Sequence, residues 1–247
     1  MRRMPNRLRY RAEAAELMDD FSVGGDELRE ALRQLRILNR IFALPGPTLY
    51  GVKRLWEHAN KPTSLSILDI GAGSGEVNRK LLDWADKQGI SLTVMLVDVT
   101  KEACEEARLV FQQEPRIQIK QGNLFALSEG CADIVTGTQF LHHFSDEELP
   151  DAVASMLRTA RLGIVINDIH RHWMAWSAVW LVTRIISTNR YILNDGPLSV
   201  AKGFRAEDWE RLGERLGLKA MRCKWRPLFR YAVVIDKENN SLEQGAE

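Results

Sequence analysis

The chain is short of cysteine, of net charge and of long hydrophobic runs, and each shortage removes a class of explanation. Its three cysteines, Cys104, Cys131 and Cys223, are scattered with no C-x-x-C spacing. Neither a disulfide framework nor a zinc site is expected, and a reducing, cytoplasmic setting fits them. Lys and Arg number 34 against 33 Asp and Glu, a net charge of +1, so no global field recruits nucleic acid and none is expected as a partner. No stretch reaches the roughly 18 apolar residues that a bilayer crossing needs. No apolar segment follows Arg2, Arg3, Arg7, Arg9 and Arg11 in the manner of a secretory signal. Those arginines read either as a solvated chain end or as an electrostatic foot for weak peripheral contact with anionic lipid.

What the chain does have is 247 residues at 45% hydrophobic content, enough for one sizeable core with an elaboration. Leu28, Leu32, Leu35, Leu38, Ile41 and Phe42 recur at three-and-four spacing and predict an amphipathic helix over 26–43, stopped by Leu44-Pro45-Gly46-Pro47. Residues 6–20 and 48–59 are also helix-like, giving an N-terminal helical region over 1–60. Strand patterns near 66–70, 92–98, 116–120, 132–137 and 162–168 then alternate with helical patterns near 76–88, 101–113 and 146–160. That alternation predicts an α/β fold with a parallel sheet covered on both faces. Ser145 and Glu148 have the spacing of a capping box. After the fifth strand the rhythm breaks into a helical insert over 171–205. A helix at 206–217 and two strands, 219–225 and 229–235, then close a domain spanning 61–237. The tail 238–247 reads as disordered.

The most informative run is Ile67-Leu68-Asp69-Ile70-Gly71-Ala72-Gly73-Ser74-Gly75. A short strand delivers the backbone into a turn where three glycines alternate, so no Cβ blocks a ligand. The helix that follows aims free N–H groups at the same place. Asp98 ends the next strand, close to the roughly 20-residue spacing at which a βαβ unit offers a carboxylate to ribose hydroxyls. A dinucleotide fingerprint would need glycine at position 76, which is Glu76. Asp69, before the first glycine, would repel a pyrophosphate but suits the ammonium of a methionine moiety.

Ile67–Gly75 resembles the first motif of class I S-adenosylmethionine-dependent methyltransferases of the small-molecule branch. Val97-Asp98 resembles the second. Gly122-Asn123-Leu124-Phe125 is similar to the adenine-side motif, with Asn123 where Asp is usual. The resemblance implies a Rossmann-like, mostly parallel seven-stranded sheet of order 3-2-1-4-5-7-6 with the last strand antiparallel. It implies S-adenosyl-L-methionine as cofactor and S-adenosyl-L-homocysteine as product. Asp69, Gly71, Ala72, Gly73 and Gly75 would surround the methionine portion and Asp98 with Val99 the ribose. Asn123 and Leu124 would meet the adenine edge, with Gln139 completing the contacts.

The acceptor is a small molecule on this reading. The Asn/Asp-Pro-Pro-aromatic tetrad of enzymes that methylate exocyclic base amines is absent after strand four. Leu141-His142-His143-Phe144-Ser145-Asp146 is instead similar to the Leu-His-Asp-Trp-Ser-Asp segment of phenolic O-methyltransferases, which puts His142 at the base position. An imidazole suits removal of a phenolic proton at neutral pH, while a structural His142 is an equal alternative. His143 stands where that family has Asp. After strand five, Asp168 could orient a histidine or His170 could be the base. Alternatively Asp168 caps the next helix and Arg171 and His172 are solvated. No metal is expected, because nothing matches the histidine spacing of a zinc helix. Trp173, Trp176 and Trp180 fall on one face of an apolar helix. That face would cover a sheet edge or a homodimer interface, or, with His143 and Arg171, form a lid over an aromatic acceptor. The expectation is O-methylation of a small apolar, aromatic hydroxyl compound. C- or N-methylation, a non-catalytic cofactor-binding scaffold and a nicotinamide dehydrogenase are the rivals.

Overall fold

The computed structural model describes residues 8–20, 25–41 and 45–240. Helices α1 (Asp26–Ile41) and α2 (Pro45–His58) precede the sheet. The chain then runs β1 (Ser64–Ile70), α3 (Asn78–Gln88), β2 (Ser91–Asp98), α4 (Lys101–Val110), β3 (Ile117–Gln121), β4 (Ala132–Thr138), α5 (Leu149–Thr159) and β5 (Ala160–Ile169). The insert forms α6 (Trp173–Ile186) and α7 (Arg190–Lys202), followed by α8 (Ala206–Arg215), β6 (Met221–Arg226) and β7 (Arg230–Asp236).

The sheet order is β3-β2-β1-β4-β5-β7-β6. The first five strands in sequence pair parallel, and β7 pairs antiparallel with both β5 and β6. The fold class and strand order implied by the glycine motif are therefore those of the structure. Strands buried on both faces read as nearly continuous apolar runs, as in β5, where every residue from Ile164 to Ile169 is buried. One face packs Leu68, Val135 and Ile166 under Val153 and Met156 of α5 and Trp209 of α8. The other packs Ile67, Val94 and Val165 under Leu55 of α2, Leu81 of α3 and Ala107 of α4. A third cluster joins Leu28, Ala31 and Leu38 of α1 to Tyr191 and Ile192 of α7, so the N-terminal helix and the insert cap the sheet together. The Ser145 capping box forms, with Ser145 N–H donating to Glu148 at 2.9 Å and Glu148 N–H to Ser145 Oγ at 3.3 Å.

The helix expected over 6–20 does not form among its described residues, 8–20: 11–16 carry no regular structure and only Leu17–Asp19 form a short 3-10 turn. Tertiary hydrogen bonds outweigh helix propensity here. Ala12 N–H donates to Ala201 O at 3.1 Å, and Leu17 and Met18 N–H donate to the two Asp195 oxygens at 2.8 and 3.0 Å. In the insert, α7 runs straight through Asn194-Asp195-Gly196-Pro197. Gly196 lies against Thr183 and Val179 of α6, a close helix–helix approach that only glycine permits. At the C-terminal end, Asn240 Oδ1 accepts from Lys219 and Ala220 N–H at 2.9 and 3.2 Å. The remainder of the expected tail, 241–247, lies outside the described residues, as do Phe42 and the arginines at 2, 3 and 7.

Candidate active site

The carboxyl ends of the parallel strands open into a cavity of about 1220 Å³, where ligands of open α/β sheets bind. It is lined by Gly71, Gly73, Asp98, Val99, Asn123, Leu124 and Gln139 on one side. A smaller cavity of about 280 Å³ takes in Asp69 and the whole loop from Gly71 to Gly75, Ala72 included. The structure thus brings together every residue that the glycine-motif resemblance assigns to the cofactor.

The three glycines differ in their work. All have left-handed φ, of +61°, +56° and +71°. A Cβ on Gly71 would collide with the Phe140 ring and one on Gly75 with Leu96, whereas Gly73 faces open space. Gly71 and Gly75 close the turn onto the core; Gly73 is the cradle that a ligand can approach. Asp98 Oδ2 accepts from Gly73 N–H at 2.9 Å, and its Oδ1 from Thr100 N–H and Oγ1 at 3.0 and 2.9 Å. A carboxylate offers about four lone-pair sites, so Oδ2 retains one for a hydroxyl. Asn123 Oδ1 accepts from Phe125 N–H at 3.0 Å, which leaves its NH₂ group as donor. Gln139 holds φ at 52° and, with its amide oxygen towards Arg230, accepts from both Nη atoms at 3.1 Å.

Asp69 sits beneath the loop rather than projecting into it. Its two oxygens accept from Thr136 Oγ1 and Asn78 Nδ2, each at 2.7 Å. Burial raises its pKa to about 6, against the pull of those two hydrogen bonds.

The opposite side of the larger cavity is built by the strap 8–20, Leu28 and Leu32 of α1, the segment after β4, and the end of α7. Tyr10, Met18, Phe140 and Phe144 line it together with Asp19, His143, Arg171 and Lys202. Here the two adjacent histidines part company. His142 is only 2% exposed and lies behind the wall, its Nδ1 2.7 Å from Asp168 Oδ1 and its Nε2 3.6 Å from Glu16 Oε1. His143 lines the cavity, with Nδ1 2.7 Å from Asp19 Oδ1. The rings lie 4.3 Å apart. Burial pulls the His143 pKa down, but the Asp19 hydrogen bond and the charges of Glu16 and Asp19 outweigh it and hold it above the ordinary histidine value. Burial likewise opposes the ionisation of Asp19, yet His143 and Lys202 bring its pKa down to about 2.

Asp168 does not cap the next helix. It accepts from Leu141, His142 and Ile169 N–H at 3.0, 3.3 and 2.8 Å. His142 and Arg230 hold it below the usual carboxylate range despite full burial. His172 caps α6 instead, its Nδ1 accepting from Met174 N–H at 3.2 Å. Arg171 is not solvated: its guanidinium donates to Leu8 O, Arg9 O and Gly203 O at 3.1, 3.4 and 2.5 Å and pairs with Asp208 at 3.0 Å. It borders the cavity while pinning the strap to α8.

His170, Trp173 and Trp176 are not brought to the cavity. His170 accepts from Trp225 Nε1 at 3.2 Å and packs beside Tyr231 and His172. Burial first, then the charges of His172, Arg205 and Arg171, push its pKa down to about 4. A base that weak, turned away from the cavity, does not suit the role that its place after β5 suggests. Trp173 is 60% exposed on the outer face of α6, because α6 packs on α7 rather than over the sheet.

Sequence reasoning missed Glu16, Asp19, Ser199 and Lys202. Glu16 accepts from Ser199 Oγ at 3.0 Å, and Lys202 Nζ lies 3.8 Å from Glu16 and 3.3 Å from Asp19. Two acids three residues apart in an extended strap carry no periodic signal. Glu16, His142 and His143 present ligand-type atoms within 4.8 Å of one another; the Lys202 ammonium already supplies positive charge beside them.

Residues 67–163 match the family model described as a methyltransferase domain. Among solved structures, the chain is similar to a SAM-dependent methyltransferase from Aquifex aeolicus, with 15% identity over 86% of this chain and 99% of that one and a TM-score of 0.59. The plantazolicin methyltransferase BpumL, solved with a triazolic desmethylPZN analog and SAH, gives 15% identity, 85% and 96% coverage and a TM-score of 0.59. The CMeT domain of the citrinin polyketide synthase gives 15% identity and a TM-score of 0.53 over 70% of this chain, which spans about half of that one, 46%. No curated protein matches. Over residues 67–163 the chain is thus similar to methyltransferase domains, and the solved SAM-dependent methyltransferases share its fold. The open space over Gly73 and the spare lone pair on Asp98 would fit the S-adenosyl-L-methionine expected from the glycine motif.

Proposed function

We propose that the chain O-methylates a small, largely apolar, aromatic hydroxyl compound, with His143 as general base and Asp19 as its orienting partner. The observation that carries this reading is the His143 imidazole in the cavity wall with Nδ1 held by a carboxylate. Asp19 fixes the tautomer, so Nε2 is the atom that takes the hydroxyl proton. S-adenosylmethionine, when bound, supplies an activated methyl on a sulfonium that leaves as a neutral thioether. Tyr10, Phe140 and Phe144 exclude water and hold the acceptor ring, and Gly73 with Asp98 fixes the ribose side, so the chain's main contribution is alignment.

The expected result of His143→Gln is a fall in kcat of about a hundredfold or more, with S-adenosylhomocysteine affinity within a factor of two. His170→Gln should leave turnover unchanged. In the wild type, kcat/KM should rise with pH through a limb above the ordinary histidine value, since the base works neutral and its pKa is raised. Asp19→Asn should move that limb to lower pH. Full turnover in His143→Gln would sink the assignment. Removal of a proton from a carbon between two carbonyls would use the same pair; the methylated atom in the product separates the two.

A further inference from the structure

The outer face of α6 has no part in the site, and it is unusual. Trp173, Met174, Trp180, Leu181 and Ile185 are 60%, 48%, 39%, 54% and 73% exposed, at helical spacings that place them along the side away from α7. The inward side is closed by Ala175 and Thr183, with Gly196 seated against Thr183. The patch continues past the helix start: Trp173 lies 5.9 Å from His172, whose ring stacks on Phe229 beside the exposed turn residue Leu228. Contiguous exposed apolar surface of this kind marks an interaction face.

We propose that this face docks on a bilayer carrying anionic headgroups. Its chemistry selects lipid over protein. From Ile169 to Asn194 the sequence contains no acidic residue. The exposed cation on the face, Arg184, is stacked 4.2 Å over the Trp180 ring, so guanidinium and indole sit at one level. Indoles prefer the boundary between headgroups and acyl chains. Flanking arginine reaches phosphate, while Leu181 and Ile185 enter the apolar layer. A protein-binding face is typically rimmed by hydrogen-bonding polar groups; here the exposed large side chains along the helix are apolar or cationic. No helix among the described residues is long and apolar enough to cross a membrane, so contact would be with one leaflet.

The test is sedimentation of the full chain with phosphatidylcholine vesicles, with and without phosphatidylglycerol, alongside light scattering to measure its mass. The wild type should sediment with vesicles, more strongly with phosphatidylglycerol and less at high salt. The double variant Leu181→Asp/Ile185→Asp should partition at least about tenfold less while keeping its melting temperature and S-adenosylhomocysteine affinity. Wild type left in the supernatant with both vesicles would overturn the proposal. So would equal partition of the variant, or a wild-type dimer split by the variant when neither form binds lipid.

Discussion

At the scale of single residues, neighbours in sequence take unlike roles because the backbone turns between them. His142 and His143 share a 3-10 turn, and one faces inward to Asp168 while the other faces the cavity and Asp19. The sequence resemblance puts His142 at the base position, whereas the partner that distinguishes His143, Asp19, comes from a strap distant in sequence. Asp69 makes a similar point with a pH signature. Burial raises its pKa to about 6 from 3.8, so ionising it costs folded-state stability as pH rises through about 6 and costs nothing below 3.8. We propose that an ammonium held above the loop would offset that cost by stabilising the charged form. S-adenosylmethionine affinity, measured by calorimetry, is therefore predicted to tighten as pH rises through about 6. Asp69→Asn should be weaker and flat across the same range; an unchanged slope in that variant would count against the pairing.

At the scale of elements, the periodic parts were legible and the stitched parts were not. The strands, α1 and α5 follow from apolar spacing and a capping box, because burial against a sheet imposes a period on the sequence. The strap 8–20 has no such period. It is held by side chains that arrive from elsewhere, Arg171 and Asp195, and by its own Arg11, which donates to Lys202 O at 2.9 Å and Phe144 O at 2.9 Å. Arg171 is the clearest case, since its guanidinium is shared among three carbonyls and Asp208. Removing it as Arg171→Met leaves Asp208 and those carbonyls without that donor, a class of change that costs about 3 kcal/mol. The variant should melt earlier and be nicked by trypsin at Arg9 or Arg11 within the released strap. A strap as resistant as in the wild type would show that Arg171 does not hold it.

At the scale of the whole molecule, the residues expected to hold the methyl donor lie at successive strand ends in chain order, and those proposed for the acceptor are dispersed. Ile67–Gly75, Asp98 and Asn123 all come from strand ends of one sheet, so a linear motif suffices to place them. The proposed acceptor wall needs the strap, the turn after β4, the end of β5 and the end of α7 at once, which no local pattern encodes. The apolar tryptophan helix illustrates the limit: its amphipathic face was evident, but whether that face looked inward or outward depended on α7. The most direct test of the acceptor assignment is the carbon-13 spectrum of the product made with methyl-labelled S-adenosylmethionine and a panel of phenols and enolisable polyketides. O-methylation predicts a labelled methoxy carbon. A labelled methyl on carbon or nitrogen would contradict it.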